Sequence, residues 1–270
     1  MSKAIVIHKP GGPEVFRVED MSVPEPGPGE VLLRQTAVGL NYIDVYHRSG
    51  QYPVQMPAVI GSEAAGIVEQ AGEGVQTLKP GDRVAYAPSL GAYAQYRTIA
   101  ADRVVRLPDG IDERQAAAMM LQGTTVEYLI RRTYPVKAGD TVLFHAAAGG
   151  VGLIACQWLN HLGATIIGTV GSEEKAALAR AHGCQHTINY RDEDIAAGVR
   201  EITGGKGVPV VYDAVGKDTY EASMNSLQPL GMFVSFGSAS GPCPDVSPGM
   251  LAQKGSLYFT RPTLMTYTAS

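Results

Sequence analysis

The chain has 270 residues, 45% of them hydrophobic, and a formal net charge of −4. That length and apolar content suffice for two hydrophobic cores. The acidic balance, without a dense Lys/Arg tract, argues against a nucleic-acid surface, and no apolar stretch approaches the ~18 residues of a membrane helix, so the chain reads as soluble.

Met1 to Pro10 is a β-like run with two lysines rather than a basic start and an apolar core. No leader peptide is expected, and a cytoplasmic location follows. Proline and glycine punctuate the first 120 residues, as in Pro24-Glu25-Pro26-Gly27-Pro28-Gly29 and Lys79-Pro80-Gly81-Asp82. Between these turns lie strand-like runs at Glu30 to Arg34, Gly66 to Gln70 and Arg83 to Tyr86. The pattern predicts a largely β, partly barrel-like unit. Asp112-x-x-Gln115 resembles a capping box that opens a helix through about Arg132, bridging to a second unit.

Thr141 to Gly152 reads as a strand, a glycine-rich turn and a helix start. This layout binds a dinucleotide pyrophosphate. Gly150 and Gly152 lack the Cβ that would hold a phosphate off the backbone, and the helix start supplies free N–H groups and a favourable dipole. The pattern is Ala147-x-Gly149-x-x-Gly152, with alanine in place of its first glycine. A second strand, Ala164 to Val170, leads to Gly171, Ser172 and Lys175. NAD-selective sites usually carry an acid about 20 positions after the glycines. Val170 and Gly171 stand there instead, leaving room for a 2′-phosphate that Ser172 and Lys175 can bind, so NADPH is the expected cofactor. Glu173 and Glu174 are either ribose ligands or the acidic first turn of the next helix; the plain alternative for Lys175 is a solvated helix lysine.

The period repeats with a strand at His186 to Asn189, a helix at Asp192 to Ile202, a strand at Val208 to Asp213 and a helix at Thr219 to Leu227. Strands at Gly231 to Phe236 and Ser256 to Thr260 follow. Alternation with short joints predicts an α/β, doubly wound six-stranded parallel sheet with ligand residues at the strand carboxyl ends. Tyr190, Val215, Phe236, Gly237 and Ser238 are candidates by that position. Cys156, Cys184 and Cys243 lack CxxC spacing, consistent with a reducing compartment, and Cys156 reads as a small core residue. His47, His145, His161, His182 and His186 show no metal-ligand spacing and read as surface or satisfied structural histidines.

Asn41-Tyr42-Ile43-Asp44, Ile60 to Gly66, Gly81-Asp82-Arg83-Val84, Phe144 to Gly152, Val211-Tyr212-Asp213 and Val234-Ser235-Phe236-Gly237 occur in that order. Together they resemble the medium-chain dehydrogenase/reductase superfamily, and within it the zinc-free NADPH:quinone oxidoreductases of the zeta-crystallin type. The resemblance implies a GroES-like, mostly β domain over 1–124, a Rossmann NADPH-binding domain over 125–264 and a stub of a return segment over 265–270. Family members continue past the position of Ser270 into strands that complete the first domain. The first domain is therefore expected to be incomplete, and the chain less stable and less active than a full-length relative.

Zinc alcohol dehydrogenases of this superfamily place cysteine and histidine ligands where this chain has Asn41 and Ser62, and they carry a four-cysteine lobe that it lacks. The resemblance thus implies no metal, and without a Lewis acid alcohol oxidation is disfavoured. A quinone, already easily reduced, needs positioning against the nicotinamide and exclusion of water. The implied catalytic residues are Asn41, which could hold a carboxamide or a water, and Tyr46 and Tyr52, lining the acceptor cleft; the alternative for each tyrosine is a packing aromatic. Implied cofactor contacts are Tyr42, Asp44, Tyr128, Gly150, Val151, Gly171, Ser172, Lys175, Tyr190, Val215, Phe236, Gly237, Ser238 and Arg261, with a surface charge as the alternative for Arg261. The expected reaction is reduction of quinones by hydride or single electrons from NADPH, in a homodimer paired across the strand at Ser256 to Thr260. An enone or alkenal reductase, or a nucleotide-binding protein with little catalysis, are the alternatives.

Overall fold

The computed structural model describes residues 1–269. The last residue of the predicted stub, Ser270, lies outside them. The chain divides into two units, Met1–Thr124 and a second beginning at Thr125.

In the first unit, β1 (Ser2–Ile7), β2 (Arg17–Met21) and β3 (Glu30–Val38) precede a helix, α1 (Tyr42–Ser49). The strands β4 (Ala58–Val59), β5 (Ala64–Ala71), β6 (Arg83–Tyr86), β7 (Tyr96–Ala100) and β8 (Val105–Arg106) follow. They form two antiparallel sheets ordered β2-β1-β4 and β7-β3-β5-β6-β8. Val31 and Leu33 of β3, Val68 of β5, Val84 and Tyr86 of β6 and Ile99 of β7 pack into one core. Their spacing at i and i+2 puts them on one face of each strand, as a half-buried strand requires.

The chain passes between units within α2 (Glu113–Glu127). Its capping box is reciprocal: Gln115 N donates to Asp112 Oδ1 at 2.7 Å, and Asp112 N donates to Gln115 Oε1 at 3.2 Å. The regular helix stops at Glu127 rather than Arg132 and continues as a wider π turn over Tyr128–Thr133. Tyr134 N closes that turn on Leu129 O, and the buried Tyr212 hydroxyl lies 3.4 Å from Leu129 O and 3.2 Å from Tyr134 O. A phenol from a distant strand thus reaches one carbonyl within the π turn and one just after it.

The second unit alternates β9 (Thr141–Phe144), α3 (Gly150–His161), β10 (Thr165–Val170), α4 (Glu173–Ala181), β11 (His186–Asn189), α5 (Ile195–Ile202), β12 (Val208–Asp213), α6 (Tyr220–Ser226), β13 (Leu227–Ser235), α7 (Pro248–Gln253), β14 (Tyr258–Thr260) and α8 (Leu264–Tyr267). Among the described residues its six strands form a parallel sheet in the order β11-β10-β9-β12-β13-β14. The order reverses direction between β9 and β12, the doubly wound arrangement. Leu143, Ile167, Ile188, Val208 and Val211 fill its core with Ile195 and Val199 of α5.

In the second unit three element starts move by two or more residues. The helix predicted from Asp192 starts at Ile195, because Asp194 Oδ1 caps it by accepting from Ala197 N at 2.7 Å. The strand predicted from Gly231 starts at Leu227, with an irregular register opposite Val208 and Val210. The last strand starts at Tyr258 rather than Ser256, whose φ of 57° cannot continue a strand.

Candidate functional site

The second unit gathers most of the predicted cofactor residues at one edge. All six strands are parallel, so their carboxyl ends lie on one side of the sheet. Gly150 and Val151 follow β9, Gly171, Ser172 and Lys175 follow β10, and Tyr190 follows β11. Val215 follows β12, Phe236, Gly237 and Ser238 follow β13, and Arg261 follows β14.

At β9, Gly149 is the N-cap of α3, and Gly150 and Val151 are its first helical residues. Their amides belong to the turn that has no intrahelical acceptors. Gly152 has a packing role that the spacing did not show. A Cβ there would overlap the Ala146 carbonyl oxygen and lie 2.6 Å from that of Ala147. Its missing side chain therefore lets α3 pack on the turn that follows its own strand. The left-handed turn position is Ala146, with φ 54°.

At β10, Ser172 caps α4, its Oγ accepting from Lys175 N at 3.3 Å. The hydroxyl proton stays available for another acceptor. Glu173 and Glu174 occupy the first turn of α4, and Glu173 pairs with Arg180. Lys175 is exposed in the same turn. A Cβ at Gly171 would meet the Tyr190 ring, 2.9 Å from Cζ, so the phenol stands directly over this strand end.

At β12, Asp213 Oδ1 accepts from Val215 N at 2.8 Å and Gly216 N at 2.9 Å, fixing the following turn. Gly237 closes on that turn: a Cβ there would lie 2.8 Å from Ala214 Cα. Ser238 is buried, and the Phe236 ring tilts against Phe144 with centroids 5.9 Å apart. Arg261 Nη1 donates to Ser235 O at 3.0 Å, tying β14 to the end of β13. Tyr128 does not follow a strand of the sheet. It is buried in the π turn, its ring stacked on Tyr267 at 4.5 Å.

The first unit builds a separate polar cluster. Asn41 is the N-cap of α1, and its Nδ2 donates to Glu63 Oε2 at 2.7 Å. Glu63 Oε1 accepts from Leu121 N at 2.8 Å. Asp44 accepts from Asn41 N at 2.9 Å, the Tyr93 hydroxyl at 2.8 Å and Ser62 Oγ at 3.1 Å. Asn41, Asp44, Ser62 and Glu63 are all buried. Beside them Tyr46 packs between Tyr42, at 5.4 Å, and Tyr52, at 5.0 Å. Tyr46 is buried, Tyr52 half-buried, and Tyr42 exposed.

Sequence reasoning passed over Glu63, Ser62 and Tyr93 as members of this cluster, although Ser62 and Glu63 sit within a motif it singled out. It also misjudged His47. That ring is buried with its Nδ1 unpartnered, neither exposed nor satisfied. His145, by contrast, is a satisfied core histidine.

Burial pushes the Asp44 carboxyl above its ordinary range, against the hydrogen bonds it accepts. Burial raises Glu63 too, and the neighbouring Asp44 charge adds to it. Tyr93 is raised by burial and by Asp44. Because the folded pKa of each carboxylate exceeds the unfolded one, the native state binds more protons in the interval between them. Their contribution is full below the ordinary carboxylate pKa and is lost as pH rises through the raised values. Glu63→Gln removes one such titration. From about pH 4 to about pH 7 the difference in thermal midpoint should move in the variant's favour; a flat difference would reject the raised pKa.

Residues 27–109 match the alcohol dehydrogenase GroES-like domain, and residues 150–265 match the zinc-binding dehydrogenase family. The chain is 56% identical to the quinone oxidoreductase of Pseudomonas aeruginosa over 99% of its own length and 83% of that protein. The crystal structure of Escherichia coli quinone oxidoreductase complexed with NADPH superposes with a TM-score of 0.97 at 51% identity, covering 99% of this chain and 83% of that one. A 2-haloacrylate reductase of Burkholderia is 49% identical over 100% of this chain and 84% of its own length.

Proposed function

The chain belongs to the quinone oxidoreductases of the medium-chain dehydrogenase/reductase superfamily, and from that premise we propose that it reduces quinones with NADPH. The observation that carries the cofactor reading is the end of β10. There Gly171, Ser172 and the exposed Lys175 stand where an NAD site would present an acid, and Glu173 is turned to Arg180. When bound, NADPH supplies the hydride or the single electrons.

The residues of this chain bind and orient. The Gly150 and Val151 amides receive the pyrophosphate, and Ser172 and Lys175 receive the 2′-phosphate by hydroxyl donation and charge. Tyr190 offers a face to the adenosine, and the strand ends at Val215, Phe236, Gly237, Ser238 and Arg261 complete the cradle. Tyr42, Asp44 and the buried Tyr128 serve the cofactor from α1 and the π turn. In the first unit, Asp44 and Glu63 hold the loop at Asn41 rigid through four hydrogen bonds to neighbouring groups and one within it. Asn41 then positions the reacting end, and the Tyr46 and Tyr52 phenols stack on the planar acceptor and donate to its carbonyl oxygen.

No metal enters this reading. Asn41 spends its amide hydrogen on Glu63, and Ser62 spends its hydroxyl on Asp44, in place of thiolate and imidazole donors. The test is oxidation of NADPH and of NADH with 1,4-benzoquinone, before and after exhaustive dialysis against EDTA. Oxidation that prefers NADPH and survives dialysis is expected; loss of activity on metal removal, or no oxidation of either cofactor, would overturn the reading.

The likeness to 2-haloacrylate reductase supports a second reading, reduction of an alkene conjugated to a carbonyl or carboxylate. Turnover of 2-chloroacrylate in the same assay, without turnover of benzoquinone, would favour it. We also read the chain as a cytoplasmic homodimer paired along β14. That strand ends the sheet and bonds only β13 among the described residues, with Tyr258 exposed. Among the described residues no helix is long and apolar enough to cross a membrane. Light scattering that gives a monomer mass at micromolar concentration would reject the dimer.

A further inference from the structure

Beneath the phosphate turn the second unit buries five polar side chains: His145, Thr169, Asp213, Thr219 and Ser223. Ala146 N lies 3.2 Å from Thr169 Oγ1, and Thr169 Oγ1 lies 3.0 Å from His145 Nδ1. His145 Nε2 lies 2.9 Å from Ser223 Oγ, which is 2.7 Å from Asp213 Oδ2. The four side chains come from β10, the turn after β9, α6 and β12, so no local motif brings them together.

Both ends of this chain of contacts have a fixed sense. The Ala146 N–H can only donate, and the Asp213 carboxylate, already receiving the Val215 and Gly216 amides on Oδ1, can only accept. Ser223 therefore gives its one hydroxyl proton to Asp213 and receives from His145 Nε2–H. Burial disfavours the imidazolium form of His145, which leaves Nδ1 bare to accept the Thr169 hydroxyl proton. Thr169 Oγ1 then receives the Ala146 N–H. Every donor has an acceptor, and only one tautomer of His145 satisfies the set.

We propose that His145 is a positioning residue for the cofactor: its neutral, Nε2-protonated ring ties the pyrophosphate turn to Asp213, and so to the turn that carries Val215. The inference rests on the NADPH reading above. Ala146 holds φ 54°, a conformation that residues other than glycine keep only under restraint. Thr169 restrains it on both sides, through its hydroxyl to Ala146 N and through its carbonyl to Ala147 N at 3.1 Å. Ala146 O in turn accepts from Gly149 N at 2.8 Å, the residue that caps α3. Asp213 holds the second turn through the Val215 and Gly216 amides and Thr219 Oγ1, the last at 2.7 Å. One set of hydrogen bonds thus sets the spacing of two strand-end turns before any nucleotide arrives.

The test uses the whole chain. Thr169→Val deletes the hydroxyl that links Ala146 to His145, and Ser223→Ala deletes the link to Asp213. Loss of one bond in such a buried set should weaken NADPH binding about tenfold in each variant, with a much smaller fall in kcat at saturating cofactor. Thr169→Ser should restore the affinity. Ser226→Ala is the control: its buried hydroxyl donates to Ala222 O at 2.7 Å on the same helix but lies outside the set, so it should lower the thermal midpoint and leave NADPH affinity alone. In cofactor-free protein, nitrogen-15 NMR should find His145 neutral with the proton on Nε2. A proton on Nδ1, or wild-type affinity in both Thr169→Val and Ser223→Ala, would overturn the proposal. Absence of NADPH binding by the wild-type chain would instead overturn the cofactor reading, and the NMR result would still decide the tautomer.

Discussion

Gly152→Ala is expected to destabilise the protein by roughly 2–3 kcal/mol and to weaken NADPH binding about tenfold or more. The added methyl meets two backbone carbonyl oxygens, those of Ala146 and Ala147, and neither can rotate aside as a side chain would. Relief requires α3 to lift from the end of β9, and that movement carries the Gly150 and Val151 amides with it. Gly123→Ala is the matched control. Gly123 lies within α2, a Cβ there meets nothing within 4 Å, and the same substitution should stabilise by about 0.5–1 kcal/mol through lower chain entropy. Thermal midpoints moving in opposite directions, with affinity lost only at 152, are the expected result. A Gly152→Ala protein that melts and binds like the wild type would show that the helix start is not held by close packing.

Lys175→Glu is expected to reverse the cofactor preference. Lys175 is exposed in the first turn of α4, beside the hydroxyl of Ser172. A charge-assisted bond to a phosphate is worth about 1.5–3 kcal/mol, so its loss alone should lower kcat/KM for NADPH by about 10- to 100-fold. The introduced carboxylate adds repulsion toward the phosphate and offers an acceptor to the hydroxyls of a plain ribose, which should leave NADH unaffected or improve it. The measurement is the ratio of kcat/KM values for the two cofactors with benzoquinone, at low and high salt. Because the site is exposed, the effect should shrink as salt screens it. An unchanged ratio would make Lys175 a solvated helix residue.

The two substitutions test sites that were legible to different degrees. The Lys175 position follows from counting along a strand, turn and helix pattern, and the structure places it as counted, at the end of β10 in the first turn of α4. Gly152 was legible as part of a glycine-rich turn, but its packing role was not. Spacing along the chain shows that a Cβ is absent and not which atoms would meet it. The cluster around Asn41 illustrates the same limit. Its partner Glu63 is 22 positions away and Tyr93 is 49 positions from Asp44, with no periodic signal linking them. His47 looked like any surface or satisfied structural histidine because burial with an unpartnered Nδ1 is a property of its surroundings.

The sequence by itself determined the parallel second unit, its strand ends, the capping box at Asp112 and the glycine-rich turn that opens α3. Each of these is written in a period of two or 3.6 residues, or in residues a few positions apart, and backbone geometry converts such patterns into local structure directly. Only the tertiary structure decided the stacking of Tyr128 on Tyr267, the π turn over the Tyr212 hydroxyl, the acidic cluster at Asp44 and Glu63, and the joining of His145 to Asp213. Those contacts pair residues from separate elements. Which atoms meet is set by how strands order in a sheet and how helices pack on it, and buried donors and acceptors then take the partners that this packing brings within reach.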